Sequence, residues 1–119
     1  MARVSGGAGL RNALGQLVTT VESECREVVR ESAEALVAGT RRRVAVDTGR
    51  LYRDVDAHYA PDGLSAEVGW FDPDDYYAEF VEHGTSSQPA QPALGPAADE
   101  ERRELPNRVA RHLRRRLGQ

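Results

Sequence analysis

Three side chains able to bind a metal ion or to transfer protons alternate along one short segment. Asp54, Asp56 and His58 are spaced two residues apart, so they share one face if the segment is a β-strand. Two carboxylates and an imidazole could bind a hard cation, or act as an acid–base pair in a hydrolase. The intervening side chains are apolar, however, which is typical of any half-buried strand, and no motif supplies further ligands. We therefore predict a solvated polar face, with no metal, no cofactor and no catalytic residue.

The remaining residues give little support for an enzyme. Cys25 is the only cysteine, which excludes an intramolecular disulfide, and it lies on an apolar stripe where a free cysteine acts as a small hydrophobe. The sequence contains no glycine-rich phosphate loop and no dinucleotide-binding motif. It also contains no apolar run long enough for a signal peptide or a membrane span. We expect a protein that is not an enzyme and does not enter a membrane.

One cluster of charge could contact nucleic acid. Arg114, Arg115 and Arg116 are adjacent, and three arginines exceed what interaction with a helix dipole requires. The charge is polarised, because residues 54–82 contain many acids and no arginine, whereas residues 105–119 contain five arginines and no acid. The formal net charge is −3, and dedicated nucleic-acid-binding domains are usually basic. A small DNA-binding regulator that uses this arginine-rich end is therefore the alternative hypothesis.

A long amphipathic helix is predicted over residues 10–44. Leu10, Leu14, Leu17, Val21 and Cys25 recur at steps of three or four, which places them on one face. At about 1.5 Å per residue this helix is roughly 50 Å long. A compact globule of this chain length has a diameter of only roughly 35 Å. The helix should therefore extend beyond its own domain, and its apolar stripe there needs a partner.

A β-hairpin is predicted after the long helix. Asp47-Thr48-Gly49 is a turn, and two strands of alternating polarity follow at residues 53–59 and 64–70. Pro61-Asp62-Gly63 joins them, since proline fixes φ, aspartate caps the turn and glycine accepts a positive φ.

The second half of the chain is predicted to contain two helices. Asp72-Pro73 is a helix start and His83-Gly84 is the stop, with a buried face formed by Tyr76, Tyr77, Phe80 and Val81. A proline-rich loop over residues 85–95 precedes a C-terminal helix that begins near Pro96 and that Pro106 should kink or restart. We interpret residues 1–119 as a single domain, with residues 1–9 flexible.

Four stretches occur in a characteristic order: residues 46–51, 66–69, 77–85 and 89–97. Together they resemble the tail-component, or tail-completion, family of long-tailed bacteriophages, which includes the tail-to-head joining proteins of the neck. The resemblance extends over about residues 10–117. The positions that carry it are Asp47, Thr48, Gly49, Leu51, Val68, Gly69, Tyr77, Phe80, Val81, Glu82, Gly84, Thr85, Pro89, Ala90, Pro92, Leu94 and Pro96.

The resemblance implies an α+β subunit with a long N-terminal helix, a small antiparallel sheet built on a hairpin, a short middle helix and a C-terminal helix. It implies a closed, hexameric ring around the DNA channel at the head–tail junction, and no catalysis. Expected partners are further copies of the chain, a head-completion or connector protein on one side, and a tail-tube or tail-terminator protein on the other. The expected location is the virion, assembled in the host bacterial cytoplasm.

The charge polarity leads to a hypothesis about orientation in such a ring. Asp54, Asp56 and Glu67 are candidates for the channel lining, because acids repel DNA phosphates and let DNA pass without sequence-specific binding. The three C-terminal arginines are candidates for contact with a neighbouring protein, where they could pair with carboxylates.

Overall fold

The computed structural model describes residues 8–44 and 49–118. Its elements are α1 (Ala8–Arg43), α2 (Gly49–Asp54), β1 (Asp56–Tyr59), β2 (Ala66–Gly69), a 3₁₀ turn (Pro73–Asp75), α3 (Ala78–His83) and α4 (Leu94–Arg116). The fold is α+β, with the long first helix, hairpin, short middle helix and last helix that the sequence predicts. Residues 1–7 of the segment expected to be flexible lie outside the described residues, whereas Ala8 and Gly9 are already helical.

α1 and α4 pack against each other in antiparallel directions. Gly39 near the end of α1 faces Ala97 near the start of α4, and Ser32 donates a 2.6 Å hydrogen bond to Glu101 one turn further along. Small residues allow this close approach, because a β-carbon on Gly39 would lie 3.3 Å from that of Ala97. Pro106 was predicted to kink or restart the last helix; α4 runs through it as one helix, so it does not restart there. The contacts with α1 hold the helix together on both sides of the proline.

The hairpin lies against the middle of α1. β1 and β2 are antiparallel, with His58 opposite Glu67. The predicted turn is present: Gly63 has φ +73°, and the Leu64 amide donates to the Asp62 side chain over 2.9 Å. Arg26 of α1 donates a 2.7 Å hydrogen bond to the Asp62 carbonyl, which fixes the turn to the helix. Both strands have four residues and are shorter than predicted.

The predicted strand over residues 53–59 is wrong in its first part. Residues 49–54 form the helix α2, so Asp54 does not share a strand face with Asp56 and His58. The reason is burial: Leu51 and Val55, four residues apart, are both almost completely buried, and the Val55 amide donates to the Leu51 carbonyl. Gly49, expected in a turn, is the first residue of α2. Asp47 and Thr48, expected in the same turn, lie outside the described residues.

The predicted helix over residues 72–83 is divided into two short elements. Asp72 caps the first as expected, since its side chain accepts the Asp74 amide, but the 3₁₀ turn ends at Asp75 and α3 begins only at Ala78. The break changes the phase, so the four predicted aromatic and aliphatic residues do not form one buried face. Tyr76 is 75% exposed and Phe80 is 52% exposed, contrary to prediction, whereas Tyr77 and Val81 are half-buried.

The molecule is elongated. The radius of gyration is 19.9 Å and the extents are 70 × 27 × 22 Å, whereas a compact chain of this length has a radius of gyration of about 13–14 Å. The 36-residue α1, about 54 Å long, accounts for this shape and extends beyond the rest of the fold as predicted. None of the helices in the described ranges carries an apolar stretch sufficient to cross a membrane.

Candidate assembly surfaces

The first turns of α1 present apolar side chains to solvent. We call residues 8–20 the α1 arm. Every residue from Ala8 to Thr19 is exposed. Four large apolar side chains are each about half exposed, at 48–53%: Leu10, Leu14, Leu17 and Val18. Burying apolar side chains contributes about 1.5–3 kcal/mol each, so a bare stripe of four is a candidate contact surface.

The arm stripe continues into the folded part of the molecule. Further along the same face, Val21 and Cys25 are half-buried and Val28 is fully buried. Val28 lies beside Val68 of β2 and Leu105 of α4, which line one apolar cavity with it. Hairpin and α4 therefore cover this face of α1 only in its second half. The same apolar stripe is therefore exposed to solvent in the α1 arm and buried under the hairpin and α4 further along.

The hairpin has the polar face that the sequence predicts, but the residues on that face differ from those predicted. Asp56, His58 and Glu67 lie on one face by register and are exposed. The His58 ring stacks on Phe71 at a centroid distance of 3.6 Å, and its Nε2 lies 3.9 Å from an Asp56 oxygen. Asp54 belongs instead to α2. The candidate channel-lining set on the hairpin is therefore reduced to Asp56 and Glu67.

The three C-terminal arginines form the last turn of α4. Arg114, Arg115 and Arg116 are all exposed, and one Arg115 nitrogen lies 3.4 Å from His112 Nδ1. Their position at the helix C-terminus is favourable for cations, because the last carbonyl groups carry partial negative charge. Since α4 is antiparallel to α1, this basic end points toward the same side of the molecule as the α1 arm.

Glu82 connects the short helix α3 to the start of α4. Its Oε1 accepts the amides of Ala93 and Leu94 at 2.9 and 3.0 Å, and its Oε2 accepts that of Gly95 at 2.8 Å. Partial burial raises the pKa of Glu82, but the three amide donors together outweigh it and hold the pKa below its ordinary value. Glu82 thus caps a 23-residue helix from another element, which an i to i+3 capping pattern would not reveal.

Gly84 allows the chain to fold back immediately after α3. It has φ +79°, and a β-carbon there would lie 2.8 Å from the Ala90 amide nitrogen. The returning loop is held by backbone hydrogen bonds from Thr85 to Gln88 and from Gln91 to Val81. The glycine stop predicted from the sequence is therefore confirmed, and it organises the proline-rich loop.

The positions that carry the family resemblance are distributed over these elements. Leu51 and Gly69 are buried, and the half-buried ones are Val68, Tyr77, Val81, Glu82, Gly84, Leu94 and Pro96. The exposed ones are Gly49, Phe80, Thr85, Pro89, Ala90 and Pro92. Among the exposed ones, Phe80, Thr85 and Pro89 line one shallow cavity beside the returning loop.

A group of charges that was not predicted from the sequence lies between α2 and the 3₁₀ turn. We call Arg50, Asp54, Asp72, Asp74 and Asp75 the Arg50 cluster. Arg50 Nε donates to Asp75 Oδ1 at 2.8 Å, while its nitrogens lie 3.5–3.6 Å from oxygens of the other three acids. Burial raises the pKa of Asp75 despite the bond to Arg50, whose own pKa that bond raises. The i to i+4 pair Arg50–Asp54 was the only available signal in the sequence.

A second charged group joins α1 to α4. Arg108 donates to both oxygens of Glu101 at 2.8 and 2.9 Å and to Glu31 of α1 at 3.2 Å. The Nε2 of buried His112 is 2.5 Å from the other Glu31 oxygen. The hydrogen bond from His112 is the main reason that the pKa of Glu31 is lowered. This network contributes to helix packing and leaves the arm uncovered.

The chain matches one family model, described as "Bacteriophage HK97-gp10, putative tail-component", over residues 8–84. The match begins with the α1 arm, includes the hairpin and ends at Gly84. The proline-rich loop and α4, which also carried the resemblance, follow the matched region. No curated protein and no solved structure is significantly similar to the chain.

Proposed function

Because the chain belongs to the HK97 gp10-like family of bacteriophage tail components, we propose that it forms a closed ring at the head–tail interface. The particle is a long-tailed phage or a phage-like particle, and the ring, a hexamer, surrounds the DNA channel. In this proposal the protein is structural and has no catalytic role.

The α1 arm is the observation that carries the proposal. A ring requires a heterologous interface, in which one surface of each copy contacts a different surface of the next. The arm supplies one such surface, since four large apolar side chains lie exposed beyond the folded part of the chain. Phe80, exposed beside the returning loop, and exposed Tyr76 offer aromatic surface for the second side of the interface.

The charged surfaces suit two different positions in such a ring, the channel wall and the contact with an adjacent ring. We place Asp56 and Glu67 toward the channel, where repeated acids repel DNA phosphates and let the DNA slide. We place Arg114, Arg115 and Arg116 toward an adjacent ring, where arginines pair well with carboxylates. The neighbours are a head-completion or connector protein on one side and a tail-tube or tail-terminator protein on the other.

The exposed arginine end also supports the alternative, a small DNA-binding regulator. The two functions differ in a simple measurement, because a regulator would bind duplex DNA with an affinity that falls steeply as salt rises. A ring that lets DNA slide should show no such binding at physiological salt.

Native mass spectrometry and electron microscopy of the purified protein test the ring. We expect a closed hexamer, formed alone or on coexpression with the head and tail proteins encoded beside it. Leu14→Glu and Leu17→Glu should leave a folded monomer, because each places a charge on the arm stripe. Gln16→Glu, a matched change at an exposed polar position of the arm, should leave the ring intact. A neck structure without a ring of this protein would contradict the proposal.

A further inference from the structure

The Arg50 cluster has the geometry of a cation site. Carboxylate oxygens of Asp54, Asp72 and Asp75 lie within 4.8 Å of one another. Three oxygens that surround one Ca²⁺ at 2.6 Å can be up to about 4.5 Å apart, so side-chain movements of at most a few tenths of an ångström place all three around a single ion. Mg²⁺, which binds oxygen at about 2.0–2.1 Å, would require the three groups to draw closer together.

Asp75 supplies an independent indication of a missing ligand. Its side chain is fully inaccessible to solvent, and its Oδ2 has no hydrogen-bond partner in the part of the chain that the structure describes. Buried polar atoms in proteins are almost always paired, so an orphaned carboxylate oxygen within a carboxylate cluster calls for a bound group. A cation suits this oxygen, because a carboxylate coordinates metal ions and the neighbouring ionised carboxylates of the cluster offer it no hydrogen-bond donor.

Arg50 neutralises only part of the charge of the cluster. Its guanidinium makes one hydrogen bond, to Asp75 Oδ1, while its distances to the other three acids, 3.5–3.6 Å, exceed ordinary hydrogen-bond lengths. Arg53 approaches Asp54 to 3.5 Å and is largely exposed. Four carboxylates therefore face two guanidinium groups, and the formal excess of two negative charges equals the charge of one divalent ion.

We propose that Asp54, Asp72 and Asp75 bind a calcium ion that ties α2 to the 3₁₀ turn. Asp54 is the last residue of α2, and Asp72 and Asp75 cap and end the turn that precedes α3. The ion joins two segments that are otherwise connected mainly through Arg50. Three carboxylates completed by water correspond to a weak site, with a dissociation constant of roughly 10⁻⁴–10⁻³ M. This inference does not depend on ring formation.

Terbium luminescence tests the site directly, because Tb³⁺ replaces Ca²⁺ and emits when a nearby tryptophan is excited. Trp70 is the only tryptophan and donates a hydrogen bond to the carbonyl of Leu51 in α2. We expect saturable, Trp70-sensitised emission from the full-length protein that Ca²⁺ displaces. Asp54→Asn and Asp72→Asn should each weaken Tb³⁺ binding by at least about tenfold. Asp56→Asn, an exposed acid on the hairpin, should bind Tb³⁺ like the unaltered protein.

Thermal unfolding provides a second measurement that does not use the probe. Ca²⁺ at about ten times its dissociation constant should raise Tm by roughly 5 °C in the unaltered protein and in Asp56→Asn. The rise should be absent in Asp54→Asn, whose fold is checked by circular dichroism. The proposal is overturned if the unaltered protein shows no Ca²⁺-displaceable emission. It is equally overturned if Asp54→Asn and Asp72→Asn bind Tb³⁺ as well as Asp56→Asn does.

Discussion

The two halves of α1 share one hydrophobic period and differ in what covers them. In the second half, Val28 and Ala33 are buried, and Gly39 lies against Ala97 of α4. In the α1 arm, Leu10, Leu14 and Leu17 continue the same stripe and are half exposed. The chain folds its own hairpin and α4 onto one half of the helix and leaves the other half bare. The difference shows that an amphipathic period determines which face of a helix is apolar. It does not determine whether that face is covered by the same chain, which depends on where the other elements fold.

The covered half should depend most strongly on Arg108. The Arg108 and Glu101 side chains are only 16% and 11% exposed, and Arg108 also contacts Glu31. Arg108→Ala leaves Glu101 without its charge partner, and breaking such a pair should lower the free energy of unfolding by about 3 kcal/mol. Urea denaturation measures the loss.

Arg102→Ala is the matched control for this change. Arg102 pairs with Asp99 on the same helix, and both side chains are mostly exposed. Exposed pairs contribute little, so the free energy of unfolding should change by about 0.5 kcal/mol or less. Equal effects of the two substitutions would show that the charged network between α1 and α4 does not stabilise the covered half of α1.

Two glycines of α1 test the packing difference within one helix. At Gly39 a β-carbon would meet Ala97 at 3.3 Å, whereas at Gly15 in the arm nothing lies within 4 Å. Gly39→Leu should therefore overpack the α1–α4 contact and lower the free energy of unfolding by about 2 kcal/mol. Gly15→Leu should raise it by about 0.5–1 kcal/mol, because leucine favours a helix more than glycine does.

Thermal or urea unfolding of the monomeric protein distinguishes the two glycine substitutions by sign. If Gly15→Leu also destabilises the monomer, the arm has an intramolecular contact and is not a free surface. Each glycine substitution is made separately in a protein that also carries Leu14→Glu, so that ring formation does not affect the measurement.

The sequence predicted most elements by local rules and missed those that depend on distant contacts. Helix α1, the turn at Gly63 and the stop at Gly84 follow from period and φ preference, which are local. Helix α2 was missed, since the alternation around Val55 resembles a strand. The burial of Leu51 and the hydrogen bond from Trp70 to its carbonyl exist only in the folded chain. The Arg50 cluster and the cap from Glu82 were missed for the same reason: apart from Asp54, which follows Arg50 by four residues, their partners are 11 to 25 residues away. No local pattern contains that information.

The smallest expected effect is on the pH dependence of stability, and it concerns Glu31 in the covered half of α1. The pKa of Glu31 is lowered in the folded protein, mainly by the hydrogen bond with His112, with Arg108 and Arg111 of α4 also facing it. A carboxyl whose pKa is lowered on folding contributes stability above its unfolded pKa, near 4.5, and that contribution is lost as pH falls through the folded value. The free energy of unfolding should therefore decrease below about pH 4.5 less steeply in Glu31→Gln than in the unaltered protein. Glu22→Gln, nearer the arm and paired with exposed Arg26 at 3.5 Å, is the control and should follow the unaltered protein. Unfolding in urea at several pH values between about 3 and 7 gives the two slopes. Parallel curves for Glu31→Gln and the unaltered protein would mean that α4 does not hold the ionised form of Glu31.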